Sequence, residues 1–418
     1  MKDSTLDLQM KLNQDQENLL YKLHSFYTDA NRQYFLLSGQ AGVGKTTCMR
    51  FFSEQLKQAD PDIKICMAAP TNKAVAVLAE SVADPDLSYK TIYSLLGLRM
   101  MANGEVKELS DSGKESISAY SLVICDEASM ISSTLIDYIK KKISLADTKV
   151  VFIGDKQQLP PVGEVLSPIW KEFPIDYELT EVMRHQNAIL EFVQQIRGND
   201  SPKFKSPGKQ VFIDNEESFT DKIAMLAKKG EFHSGKAKAI AWRNMTVEFL
   251  NTFIRNNNKT TESSDKFVIG DRVVIKEPII VGETTIASTD EEGTVISVEI
   301  VHHQKYATLK AWKLSIKIDH SNSNVTAFVI HEKSTNDLQE MLDTLKQSKR
   351  WDLFWKLKEA FHNIAYGYAL TAHRSQGSTF NHVFIDAGDI MLNKNVQERT
   401  KCLYVACSRA SKSLSIFP

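Results

Sequence analysis

The run Gly39-Gln40-Ala41-Gly42-Val43-Gly44-Lys45-Thr46, followed by Thr47, fits the spacing G-x-x-x-x-G-K-[ST]. Set between a strand and a helix, such a loop turns backbone N–H groups and a helix N-terminus toward a phosphate. Lys45 then has the reach for β- and γ-phosphates, and the Thr46 hydroxyl can ligate Mg²⁺. The bare pattern arises by chance in roughly one or two of every hundred chains this long, so other groups on the same rim must decide. Asp126-Glu127 closes the apolar run Leu122-Val123-Ile124-Cys125. Asp126 is thereby placed to hold Mg²⁺ through water, and Glu127 to orient or deprotonate an attacking water. Gly154-Asp155-Lys156-Gln157-Gln158-Leu159-Pro160-Pro161-Val162 follows the next apolar run. There Gln158 can sense a γ-phosphate or a water, while the prolines stiffen the loop. The chemistry these groups can do together is Mg²⁺-assisted hydrolysis of a nucleoside triphosphate such as ATP.

Positioning them takes an α/β fold. The first ~180 residues alternate short apolar runs with helix-like stretches, the pattern of a parallel sheet covered by helices. Near-continuous apolar strands are expected at Tyr34 to Ser38, Ile63 to Ala69, Ser121 to Cys125 and Lys149 to Ile153, with ligands at their C-terminal ends. Between residues 98 and 120 the pattern lapses, and Asn103-Gly104 signals a hairpin that protrudes from this domain. A second alternating series reads as strands at Gln210 to Ile213, Lys238 to Trp242, His382 to Asp386 and Leu414 to Phe417. It is interrupted by a Val/Ile/Thr-rich segment, Ser264 to Ile330, with turn signals at Gly270-Asp271, Gly282 and Gly293, which reads as a small all-β insert. Asn336 to Phe361 reads as helical, its Trp351, Phe354, Trp355 and Phe361 forming a packing face between insert and core. The expected divisions are 1–178, then 179–262 with 363–418, and an inserted 263–362.

The chain has 418 residues, 42% hydrophobic and 25% charged, with 51 Lys+Arg against 52 Asp+Glu. This composition excludes a disordered, collagenous or membrane-spanning chain. A net charge of -1 means that any polyanion must be held by a local basic face. The start, MKDSTLDLQMKLNQDQ, has no apolar run of leader length, so the expected place is the cytoplasm, with no membrane partner. Five cysteines with no CxxC pair read as small apolar fillers. Cys402 and Cys407 would point about 140° apart on one helix, poor geometry for one metal.

Taken in order, Gly39 to Thr47, Ala68-Ala69-Pro70-Thr71-Asn72-Lys73-Ala74, Asp126-Glu127, Gly154 to Val162, Leu179-Thr180-Glu181-Val182-Met183-Arg184, Tyr368 to Gly377 and Leu403 to Ala410 resemble the motif series of superfamily 1 helicases. The resemblance is to the branch that moves 5′ to 3′ on single-stranded DNA, the RecD-like and Dda-like enzymes. Trp351-x-x-Phe354-Trp355-x-x-Lys358-x-x-Phe361 carries the Dda-like part. It implies two tandem RecA-like domains, the first with a hairpin insertion, the second with an SH3-like β-rich insertion and a helical extension. It also implies an ATP-dependent, Mg²⁺-using DNA helicase that works in replication, repair or recombination as a monomer.

Carried over residue by residue, the resemblance makes Arg184 and Arg409 the arginines that reach the γ-phosphate, and sets Gln376 and Gly377 near the phosphates. A well-placed arginine contributes ~10³ to 10⁵ in rate. Gln16 resembles an adenine-reading glutamine, while Asn13-x-x-Gln16 also fits a helix capping box. Pro70, Thr71, Asn72, Tyr93, Ser94, Val162, Thr371 and His373 fall on DNA-facing motifs, where hydroxyls and amides bind phosphates and a ring stacks on a base. Tyr93 stands where the family usually has histidine and Arg374 where it usually has lysine. The alternative for Tyr93 is a core aromatic before Leu95-Leu96. The hairpin is either a duplex-splitting pin with Met100 and Met101 as wedge residues, or an inert surface feature. Expected partners are single-stranded DNA, single/double-strand junctions, and replication or recombination proteins. The rival activity is a DNA-stimulated ATPase that switches or displaces proteins without unwinding.

Overall fold

The computed structural model describes residues 12–100, 106–108, 116–161, 163–181, 188–258, 265–281, 284–319, 321 and 323–418. It divides into two units, residues 1–99 with 108–186 and residues 100–107 with 187–418.

The first eight strands are β1 (Tyr34–Gly39), β2 (Ile65–Ala69), β3 (Ser88–Thr91), β4 (Leu98–Met100), β5 (Val106–Glu108), β6 (Leu122–Cys125), β7 (Lys149–Gly154) and β8 (Tyr177–Leu179), all in the first unit except Met100 of β4 and Val106–Lys107 of β5, which are grouped with the second. Six of them form one parallel sheet in the order β3-β2-β6-β7-β1-β8. Every residue of β2 and β6 is buried, as a sheet covered on both faces requires. Helix Gln14–Thr28 lays Leu19, Leu23 and Phe26 into the same core as Phe35, Leu37 and Phe52. The four expected strands form within two residues of their limits. β3 and β8 were not expected: Ser-Tyr-Lys-Thr and Tyr-Glu-Leu carry no apolar run, and as edge strands they need none. β4 and β5 form a two-stranded ribbon, as the hairpin signal implies. Its tip, with Met101, Asn103 and Gly104, lies outside the described residues.

The second unit holds β9 (Val211–Ile213), β10 (Ala237–Ala241), β11 (Arg272–Ile275), β12 (Ile279–Val281), β13 (Thr284–Ala287), β14 (Glu292–His303), β15 (Tyr306–Ile318), β16 (Asn324–Ile330), β17 (Ile364–Tyr366), β18 (Ala369–Thr371), β19 (Phe380–Asp386) and β20 (Ala410–Phe417). A parallel sheet, β18-β10-β19-β20-β9, repeats the architecture of the first unit. An antiparallel sheet, β16-β15-β14-β11-β17, is the expected β-rich insert. Its core is Val273, Val295, Trp312, Leu314 and Ile316. Gly293, read as a turn signal, instead lies inside β14. A Cβ there would stand 2.6 Å from the Lys317 carbonyl oxygen, so close strand approach explains the glycine. The turn falls at Asp290, held at φ 66°.

The helical stretch breaks into Thr335–Gln347 and Trp351–Lys358, with Lys349 at φ 54° between them. The aromatic cluster departs from its expected role. Trp351 and Trp355 remain 48% and 37% exposed and meet Phe354 edge-on, and among the described residues only Phe361 reaches rings of the insert, those of His303 and Tyr306.

A buried polar seam joins insert to sheet. The fully buried Lys238 donates to Glu292 at 2.7 Å and to the Gly367 carbonyl at 2.5 Å. Arg255 pairs with Asp271 at 3.0 Å, and the Tyr368 hydroxyl donates to the same carboxylate at 3.0 Å. Asn251 accepts from the backbone N–H groups of Tyr368 and Ala369 and donates to the Ala369 carbonyl. Only Gly367 and Tyr368 separate β17 in the insert sheet from β18 in the parallel sheet.

Candidate functional site

In the first unit, register alone puts the chemistry on one rim. Ser38 pairs with Gly154 and Cys125 with Phe152, so the loops after β1, β6 and β7 leave the sheet side by side. The loop after β1 turns through Gly42 at φ 85° and Gly44 at φ 87°, a left-handed backbone that favours glycine. Gly44 then caps helix Lys45–Ala59 with no side-chain hydrogen bond. A helix N-terminus capped only by backbone, preceded by two such glycines, is the cradle a phosphate chain fits. Lys45 Nζ donates to the carbonyls of Gly39 (2.6 Å) and Gln40 (2.9 Å), which holds the ammonium across the loop. Thr46 and Thr47 follow it, both half-buried.

Asp126 hangs from the end of β6, its Oδ1 accepting from the Glu127 N–H at 2.8 Å. Burial pushes its carboxyl above the usual range, and the nearby Lys45 charge and the Glu127 N–H oppose that shift. A carboxylate this poorly solvated gains from a cation, which suits Asp126 to a metal together with the Thr46 hydroxyl. Glu127 is held at φ 52°, ψ 41°, a conformation that costs a non-glycine residue ~1–2 kcal/mol. Such local strain concentrates at sites of function. Gln158 is buried, and its Oε1 finds no hydrogen-bond partner among the described residues. That orphaned acceptor, beside the strand that borders the phosphate loop, matches a role in orienting a water.

Of the two roles read for Gln16, the structure shows the helix capping box. Gln16 Oε1 accepts from the Asn13 N–H at 3.2 Å, its own N–H donates to Asn13 Oδ1 at 2.8 Å, and its Nε2 donates to the Val43 carbonyl at 3.2 Å. Asp15, next to it, was missed by sequence reasoning. Its carboxylate accepts from Tyr177 Oη (2.7 Å) and from the N–H groups of Thr180 (3.0 Å) and Glu181 (3.1 Å), tying the Leu179-Thr180-Glu181 motif to the first helix. Burial raises the Asp15 carboxyl, but these donors outweigh it and hold the group below its usual range. The only signal was an acid in a helix first turn.

Pro70 is buried, Thr71 caps helix Asn72–Val82 by accepting from the Ala74 N–H, and Asn72 stands at its first turn. Thr91 caps the short helix Ile92–Leu95 through the Ser94 N–H, leaving Ser94 exposed and Tyr93 half-buried rather than in the core. Burial raises the Tyr93 phenol, which keeps it neutral and suited to stacking. These segments follow β2 and β3, on the same edge as the phosphate loop.

In the second unit, β18 ends at Thr371, whose Oγ1 accepts from the Arg374 N–H at 3.4 Å. The turn His373–Ser375 sets His373 Nε2 3.6 Å from Glu398 Oε1 and leads to the buried Gln376 and to Gly377 at φ 68°. Arg374 pairs with Asp290 of the insert at 3.2 Å. Arg409 ends helix Val396–Ser408 and is buried. Its guanidinium donates to the carbonyls of Val405 (3.0 Å) and Ser378 (3.2 Å) and to Ser408 Oγ (2.7 Å). Arg184 and Val162 lie outside the described residues.

A family model described as an AAA domain matches residues 11–217, and one described as a UvrD-like helicase C-terminal domain matches 366–417. The uncharacterized protein R530 of Acanthamoeba polyphaga mimivirus is 28% identical, covering 96% of this chain and 99% of that one. The ATP-dependent DNA helicase dda of Enterobacteria phage T4 is 24% identical over 90% and 93%. The RecBCD enzyme subunit RecD of Buchnera aphidicola (Schizaphis graminum) is 26% identical over 99% and 76%. In fold, the chain is similar to Pif1 helicases at 17% identity. The TM-score is 0.57 for the structure of two coordinating Pif1 helicases at forked DNA (98% and 92% covered), and 0.53 for Bacteroides Pif1 with ADP-AlF3 and single-stranded DNA (97% and 92%). Two tandem RecA-like domains define the class, and within it the chain belongs to superfamily 1 of the helicases, on the branch of the Dda and RecD enzymes.

Proposed function

We propose that the chain is an ATP-dependent DNA helicase that translocates 5′ to 3′ on single-stranded DNA and unwinds duplex ahead of it. The observation that carries this reading is the shared rim of the first sheet, where a glycine-turned phosphate loop, a desolvated Asp126 and a strained Glu127 converge. In this reading Gly39, Ala41, Gly42, Val43 and Gly44 present backbone to the triphosphate, with Lys45, Thr46 and Thr47 at its β/γ end and Gln16 beside the base. Thr46 and Asp126 would hold Mg²⁺, which screens phosphate charge when bound. Glu127 takes the proton of the attacking water, and Gln158 orients that water. Arg184 and Arg409 supply the guanidinium groups that stabilise transition-state charge, with Gln376 and Gly377 linking the phosphates to the DNA track. Pro70, Thr71, Asn72, Tyr93, Ser94, Val162, Thr371 and His373 form that track. Net movement requires that nucleotide states differ in their grip on the strand.

In this reading the motor domains are 1–178 and 179–262 with 363–418 and the insert is 263–362, although β17 (Ile364–Tyr366) adds to the insert sheet and β8 carries the first sheet to Leu179. Among the described residues no helix is long and apolar enough to cross a membrane. The proposed activity would place the chain on DNA in the cytoplasm, as a monomer. Single/double-strand junctions, and replication, repair or recombination proteins, are the partners this role implies.

The test is ATP hydrolysis with and without single-stranded DNA, for the native chain and Lys45→Ala, followed by strand displacement from a 5′ tail and from a 3′ tail. Strong stimulation by DNA, lost in the variant, and displacement from the 5′ tail alone are expected. Unstimulated hydrolysis overturns the motor reading, and displacement from the 3′ tail overturns the polarity.

A further inference from the structure

Glu398 and Cys402 lie four residues apart on helix Val396–Ser408, so both side chains leave the same face. The turn His373–Ser375 brings an imidazole against that face from another segment. One donor atom from each of the three residues lies within 4.8 Å of the others, and His373 Nε2 stands 3.6 Å from Glu398 Oε1. We propose that His373, Glu398 and Cys402 are the protein ligands of a zinc site, separate from the magnesium site at the phosphate loop, with His373 Nε2 on the ion and only the other edge of the ring left to the DNA track.

The donor set selects the ion. A thiolate and an imidazole disfavour the hard Mg²⁺ and Ca²⁺ and suit Zn²⁺, which also accepts a carboxylate. Tetrahedral zinc with bonds of about 2.0–2.3 Å spaces neighbouring donors ~3.5 Å apart. The His373–Glu398 pair already has that spacing, and Cys402 Sγ closes the remainder with a shift of about an ångström. Binding forms a zinc–thiolate bond and releases the thiol proton to solvent, with no change of redox state. Water takes the fourth position. The ion ties the turn that bears Thr371 to Gly377 to the helix that ends at Arg409, a clip between two motif segments. Reading Cys402 against Cys407 could not find it, because the partners lie one helical turn back and on a distant turn.

The readouts are metal content and spectrum, so they stand or fall apart from the helicase reading. The full chain, stripped with a chelator, is titrated with zinc against a chromophoric competitor and, separately, with cobalt. Expected are one tightly held zinc per chain, a thiolate-to-cobalt charge-transfer band, and at least about a ten-fold loss of zinc affinity in Cys402→Ser, with Cys407→Ser unchanged. Glu398→Gln, whose side chain is half-exposed, supplies the same comparison should Cys402→Ser fail to fold. Zinc uptake unchanged by both ligand variants, or cobalt bound without a thiolate band, overturns the site.

Discussion

The side-chain amide of Gln16 reaches from the first turn of helix Gln14–Thr28 to the carbonyl of Val43, 3.2 Å away. One residue thus closes a helix cap and braces the phosphate loop from the side. Helix start and loop are coupled through three hydrogen bonds on a single side chain and its own backbone N–H.

Paired variants separate the two roles. Gln16→Ala loses cap and brace, and about 1 kcal/mol of stability should go with a weaker nucleotide KM. Asn13→Ala loses the side-chain cap on the Gln16 N–H but keeps the Gln16–Val43 bond. It should lose a similar stability while its KM for nucleotide stays near native.

Arg409 is buried against its own helix end and Ser378. Arg409→Ala should keep single-stranded DNA affinity and lose ~10³-fold or more in kcat at saturating DNA. Arg409→Lys should not restore turnover, since an ammonium lacks the planar fork. Native turnover in either variant would remove Arg409 from the reaction.

The Lys238–Glu292 pair is set in the seam with almost no exposure. Lys238→Met takes from the buried Glu292 its lysine at 2.7 Å, while Arg272 stays 3.4 Å away, and should cost about 3 kcal/mol in equilibrium denaturation. Adding Glu292→Leu should recover part of that loss, because it removes the buried carboxylate and leaves Arg272 its Asp319 partner, while the Gly367 carbonyl still lacks its donor.

Acid should weaken the insert. Burial holds His362 below its ordinary value of 6.5, and the His303 charge pushes the same way. His303 is also depressed, by burial and by Lys305. The unfolded chain therefore binds more protons than the folded one, so stability is complete above the unfolded value and declines as pH falls through it. Thermal melts at pH 7.5 and pH 5 should show the decline, and His362→Asn, whose side-chain oxygen can still accept from Phe328, should shallow it.

Much of the first unit was legible because chemistry and periodicity agree there. The apolar run Leu122 to Cys125 announces both a buried strand and the Asp126-Glu127 pair at its end. Edge strands such as Ser88–Thr91 were illegible, since a strand that is half-wet carries no apolar signature. Gly293 shows the same limit from the other side. A glycine needed for strand-to-strand approach looks, in sequence, like one needed for a turn. The pairing of Lys238 with Glu292, 54 positions apart, and the His373–Glu398–Cys402 cluster depend on tertiary neighbours that no local spacing encodes.

The two-residue passage from β17 to β18 gives the insert leverage. With Gly367 and Tyr368 pinned by Lys238, Asn251 and Asp271, no slack remains to absorb a tilt of the β-rich module. A tilt of that module is therefore passed on to Thr371 and the turn beyond it, so that insert and turn move as one piece.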